Sequence, residues 1–111
     1  MRSLVRVVAG VLTAAAVLGA AACNHVVSRY ERAFSDTRDG EMINDVLARF
    51  GEPTLRETPA KPFNVYADEG CNAPCTTRLW WEHPLLRGIE AWSVAVNAGN
   101  QVIGKTHWVS P

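Results

Sequence analysis

Gly40-Glu41-Met42-Ile43-Asn44-Asp45-Val46-Leu47-Ala48-Arg49-Phe50-Gly51-Glu52-Pro53 reads as a short amphipathic helix with a punctuated end. Ile43, Val46, Leu47 and Phe50 recur at the three- and four-residue steps that share one helical face, with Glu41, Asn44, Asp45 and Arg49 opposite. Gly51 supplies a left-handed stop, and Pro53 cannot continue the helix. So short a stripe is not stable alone, so another part of the chain must cover it.

Upstream, Val26, Val27, Tyr30 and Phe34 mark a second helical face over Asn24–Asp36, with Arg29, Glu31 and Arg32 opposite. Ser35–Asp39 is the turn that folds the two helices into an antiparallel pair. Residues 1–22 have the parts of a secretory signal peptide: basic Arg2 and Arg6, the apolar run from Val7, and small residues Ala20–Ala22. The uncharged run Val7–Ala22 falls short of the roughly 20 residues of a spanning helix. Leu18-Gly19-Ala20-Ala21-Ala22-Cys23 resembles a bacterial lipobox, with Ala20 where Leu is most usual. That resemblance implies cleavage before Cys23 and lipidation of its thiol. The alternative is ordinary cleavage after Ala22, leaving Cys23 free. Asn24 is not the Asp that retains lipoproteins at the inner membrane of enteric bacteria, which points to the periplasmic face of the outer membrane.

Composition fits one domain, residues 23–111. The 11 basic and 11 acidic residues balance, and loss of Arg2 and Arg6 leaves a weakly acidic body with no electrostatic case for nucleic acid. Three cysteines are an odd number for an exported chain. Lipidation of Cys23 leaves Cys71 and Cys75 to form a disulfide in an oxidising compartment.

Downstream, residues 56–76 hold Pro59, Pro62, Pro74 and Gly70 and read as a Pro-rich loop stapled by that disulfide, with Phe63–Tyr66 a candidate edge strand. Three strands follow, Thr77–His83, Ile89–Val96 and Gln101–Val109, giving an α+β fold of two helices on a three-stranded antiparallel sheet (ααβββ). Asn97-Ala98-Gly99 suits a three-residue hairpin loop with Gly99 left-handed. That register pairs Val94 with Val102 and Trp92 with Gly104. Trp92, Val94, Val96, Val102 and Trp108 then face the helices, and Ser93, Ala95, Gln101, Ile103, Lys105 and His107 face away.

Gly40, Val46, Gly51 and Pro53 fall at the spacings of the Gly-x-(Ser/Thr)-x-x-x-Val-x-x-x-x-Gly-x-Pro signature, so the chain resembles the SmpA/OmlA lipoproteins. Trp80-Trp81 resembles that family's aromatic first strand, and Val94-x-Val96-Asn97 with Val102 its closing hairpin. The resemblance implies the ααβββ fold and a non-catalytic accessory role in outer-membrane β-barrel assembly or envelope integrity. It also implies outer-membrane lipid, held through Cys23, and envelope proteins as partners. Met42 replaces the family's capping Ser or Thr, Gly99 sits one residue early, and residues 56–76 look like an insertion. None of the family's lipid- or partner-contacting residues has a counterpart assignable here. The same architecture in β-lactamase-inhibitor proteins makes an inhibitor-like or ligand-binding periplasmic module the alternative.

No catalytic motif emerges, and no metal or cofactor is expected. Cys71, Cys75, His83 and His107 form only a loose zinc set, Cys-x3-Cys is wrong for thiol redox chemistry, and Glu82 and Glu90 read as solvated strand ends. All four tryptophans lie between Trp80 and Trp108. Trp81, Trp92 and Trp108 are core candidates. Alternation turns Trp80 away from the helices beside Ile103, which makes these two the partner-contact candidates unless the Pro59–Cys75 loop folds over Trp80.

Overall fold

The computed structural model describes residues 2–111, with side chains from Gly19 onward. Two helices, α1 (Arg2–Asp36) and α2 (Ile43–Phe50), precede four strands: β1 (Leu55–Glu57), β2 (Thr77–Glu82), β3 (Glu90–Val96) and β4 (Val102–Val109). The strands form one antiparallel sheet in the order β1-β2-β3-β4. The α+β class stands, but the sheet has four strands rather than three. The extra edge strand is Leu55–Glu57, not Phe63–Tyr66. Its backbone pairs Leu55 with Trp80 and Glu57 with Arg78, so an ion pair crosses the two strands.

The expected first helix, Asn24–Asp36, is the C-terminal part of α1, with no flexible tether at Cys23. The expected signal peptide, residues 1–22, lies mostly where side chains are outside the described residues. Among the described residues, no helix is long and apolar enough to cross a membrane.

The α2 stripe has its cover. Val46 and Phe50 are buried with Ala33, Leu79, Trp81, Trp92, Val94, Val96 and Val102, and Val27, Tyr30, Phe34, Ile43 and Leu47 pack around them. Phe50 stacks on Trp81 at 4.0 Å between centroids, and Tyr30 packs on Trp92 at 5.4 Å. Met42 gives α2 no side-chain cap. The hairpin substitutes: the Ile43 amide donates to the Asn100 carbonyl at 2.8 Å, while Gly40 and Glu41 pair with Val102. At the other end Gly51 has φ +86°, its amide closes on Leu47, and its carbonyl accepts Trp81 Nε1 at 3.1 Å. Arg29 donates to the Arg49 carbonyl at 2.8 Å, placing a cation at the C-terminus of α2.

The β3–β4 register differs from the expected one. Asn100, at φ +59°, takes the left-handed position instead of Gly99, and the Asn97 side chain accepts the amides of Gly99 and Gln101. The loop thus slides by one residue, and Val96 pairs with Val102. A bulge follows, after which Ala95 pairs with Gly104 and Trp92 with His107. The extra residue inverts the rest of β4. Lys105 and His107 turn towards α1, and Trp108 turns to the outer face, the reverse of the expected arrangement. Lys105 Nζ sits 4.6 Å from the Phe34 ring centroid and donates to the Phe34 carbonyl, while His107 stacks on Trp92 at 5.1 Å.

Candidate functional site

The outer face of the sheet carries a second small core. Trp80 is fully buried there with Ala67 and Ala91, and Leu55, Phe63, Tyr66 and Trp108 close around it. Tyr66 stacks on Trp80 at 5.4 Å, Phe63 meets it edge-on at 5.2 Å, and Trp108 lies at 5.7 Å. Trp80 therefore offers no contact surface. The Pro-rich segment folds over it because an exposed indole would leave a large apolar area in water. Ile103 remains partly exposed at the bulge of β4, an outer edge of the sheet.

A buried carboxylate that sequence patterning did not single out organises this cover. Glu57 is 0% exposed. Its Oε1 accepts Arg78 Nε at 2.6 Å and Trp80 Nε1 at 3.0 Å, and its Oε2 accepts the Phe63 amide at 3.0 Å. Burial pushes its pKa up, but Arg78, the Phe63 amide and the Trp80 indole together outweigh burial and hold the carboxyl below its usual range. Arg78 also donates to the Glu69 carbonyl at 2.8 Å and lies over the Trp80 ring. Cys71 and Cys75 are joined, with Cα atoms 5.3 Å apart, and both are buried. Strand, ion pair and disulfide fix the segment in three places.

Tyr66 ties this cover to the β2–β3 loop. Its hydroxyl donates to Glu82 at 2.7 Å and accepts the Gly88 amide at 2.7 Å. Burial, with the Glu82 carboxylate second, pushes the phenol up to about 12. In the loop, His83 Nδ1 accepts the amides of Leu85 and Leu86 at 3.1 Å each. Glu90 faces His107 at 2.9 Å and His83 at 3.9 Å. Glu82 and Glu90 are thus engaged rather than simply solvated.

The imagined zinc set does not assemble, because its two sulfurs are bonded to each other. Among the described residues no group of three or more acidic, His or Cys side chains is placed to hold a metal. Buried Ser93 spends its hydroxyl on Trp108 Nε1 at 2.8 Å and the Thr106 carbonyl. A shallow depression between the helices is lined by Arg29, Arg32, Ala33, Asp36 and Arg49. Two of its cations are committed: Arg29 to the end of α2, and Arg49 to Glu41 and Thr37. The Arg49 guanidinium in turn holds the Glu41 carboxyl below its usual range, against a smaller opposing effect of burial.

Cys23 is the free cysteine of the described residues and lies half-buried on α1. No protein-family model, curated protein or solved structure matches the chain.

Proposed function

We propose that this is a lipid-anchored, non-catalytic envelope protein held at the periplasmic face of the outer membrane. Its role is that of an accessory in β-barrel assembly or envelope integrity, acting through protein contacts, as the SmpA/OmlA resemblance implies. The observation that carries the reading is the fate of the three cysteines. Cys71 and Cys75 form a disulfide, and Cys23, directly after Ala20-Ala21-Ala22, is left with a free thiol for lipidation. The outer edge of β4, with Ile103 at its bulge, is the surface offered for protein contact. A bulge, Gly104 and Lys105 there also guard against unintended strand pairing.

Cys23→Ser tests the anchor. The variant should leave the membrane fraction, and the wild-type precursor should accumulate when lipoprotein signal peptidase is inhibited. Unchanged fractionation would sink the lipoprotein reading. Crosslinking capture from intact cells tests the role: barrel-assembly components should copurify. Recovery of a single enzyme or small ligand instead would favour the inhibitor-like alternative.

A further inference from the structure

We propose that the β2–β3 loop, with Leu85, Leu86 and Ile89 at its surface, is a second membrane contact that seats the domain on the bilayer beside Cys23. This rests on the anchoring proposed above and adds the orientation of the domain. Six large hydrophobic side chains are exposed among the described residues: Met42, Val65, Leu85, Leu86, Ile89 and Val109. All but Met42 lie at one end of the sheet. Leu85, Leu86 and Ile89 belong to the loop, and Ile89 is joined to the end of β4 by the Ser110 amide. Val65 precedes Tyr66, whose hydroxyl reaches Glu82 and Gly88, and it shares a small depression with Val109. Leu85, at 74% exposed, is the most open of the six.

Cys23 lies at this same end. Gly40 and Glu41, just past the end of α1, bond to Val102, while Phe34 lies against Lys105 and His107, so α1 runs antiparallel to β4. From Phe34 back to Cys23 the helix rises about 16 Å. From His107 to the end of β4 is only about 7 Å. Cys23 therefore lies beyond the strand ends, at the end of the sheet that carries the Pro84–Gly88 loop. The loop also reaches the helix side, since Arg87 is close enough to bear on the Tyr30 hydroxyl. A helical tyrosine leans towards its N-terminus, here towards Cys23.

A lipid on Cys23 places that sulfur at the bilayer surface. The polar interface of a bilayer is about 5–7 Å deep on each side, so a loop at the Cys23 end of the domain is placed to enter it. Aliphatic side chains with one cation are suited to that boundary: leucines reach the acyl region while Arg87 stays among phosphates. The loop is held for the task, with His83 accepting two of its amides and Tyr66 a third.

Photo-crosslinking in intact cells tests the contact. The full chain would carry benzoylphenylalanine in place of Leu85, Leu86 or Ala98, the last exposed on the hairpin at the far end of β3. Illumination should add the mass of one phospholipid at positions 85 and 86 and nothing of that mass at 98. Membrane-bound protein with no lipid adduct at 85 or 86, or with adducts only to another polypeptide there, would overturn the loop contact and leave the anchor standing. Equal lipid adducts at all three positions would also overturn it. Chain found outside the membrane fraction in these cells would overturn the anchor, and the loop contact with it.

Discussion

Glu57 shows how one buried charge can order a segment that has little regular structure. A carboxylate with no solvent exposure must be paired on both oxygens, and Arg78, Trp80 and the Phe63 amide supply three bonds. Glu57→Gln leaves Arg78 facing a neutral amide and should cost about 3 kcal/mol in urea unfolding. That is the low end for breaking a buried pair, because Arg78 keeps the Glu69 carbonyl. The lowered carboxyl pKa also fixes the sign of the pH dependence. The unfolded chain takes up this proton first, near pH 4.3, so Glu57 contributes its full stability above that value. The contribution falls as pH drops through the lower folded value. Wild type should therefore lose more stability than Glu57→Gln below about pH 4, and parallel acid titrations of the two would contradict the assignment. Trp80→Ala should cost about 3–5 kcal/mol, the scale of a buried aromatic truncation, with loss of contact to Phe63 and Tyr66. An effect on partner capture alone, with stability intact, would contradict its burial.

At the scale of elements, α2 was legible because its signals are local. Periodicity marks Ile43, Val46, Leu47 and Phe50, and Gly51 marks the end, where φ is +86° and the Arg29 guanidinium stands 3.4 Å from where a Cβ would lie. Gly51→Ala should therefore lower stability by about 1–3 kcal/mol through backbone strain, measured as a fall in the urea midpoint. Gly40→Ala, also at positive φ but with open space around it, should cost less. The last hairpin was legible as a hairpin but not in register. Two residues competed for one left-handed position, and Asn100 took it while Asn97 bound the loop amides. A one-residue slide and a bulge then moved Trp108, Lys105 and His107 to opposite faces from those expected. Nothing local signals such a bulge, because it depends on how β4 meets β3 and α1. Strand β1 was hidden for a related reason. Three residues next to Pro53 and Pro59 carry too little periodicity, and Glu57 in a polar, Pro-rich setting reads as solvated until Arg78 is placed across from it.

At the scale of the molecule, one sheet separates two cores of unequal standing. The helix-side core draws on α1, α2 and three strands, whereas the outer core depends on a segment with one short strand and a disulfide. Trp80 and Trp81 are adjacent in β2 yet serve opposite cores, so the sheet links them mechanically. The outer cover should nevertheless open locally, because releasing residues 58–76 leaves β2–β4 and both helices paired. Closing so short a loop with a disulfide contributes about 2 kcal/mol in the chain-entropy model. Reduction of Cys71–Cys75 should then speed amide exchange of Phe63, whose N–H is held by Glu57, by about 30-fold. Exchange in the centre of β3, at Trp92 and Val94, should stay near its oxidised rate. Equal acceleration at Phe63 and Val94 would mean that the cover and the sheet open as one unit. In that case the disulfide would be holding the whole domain rather than its outer face.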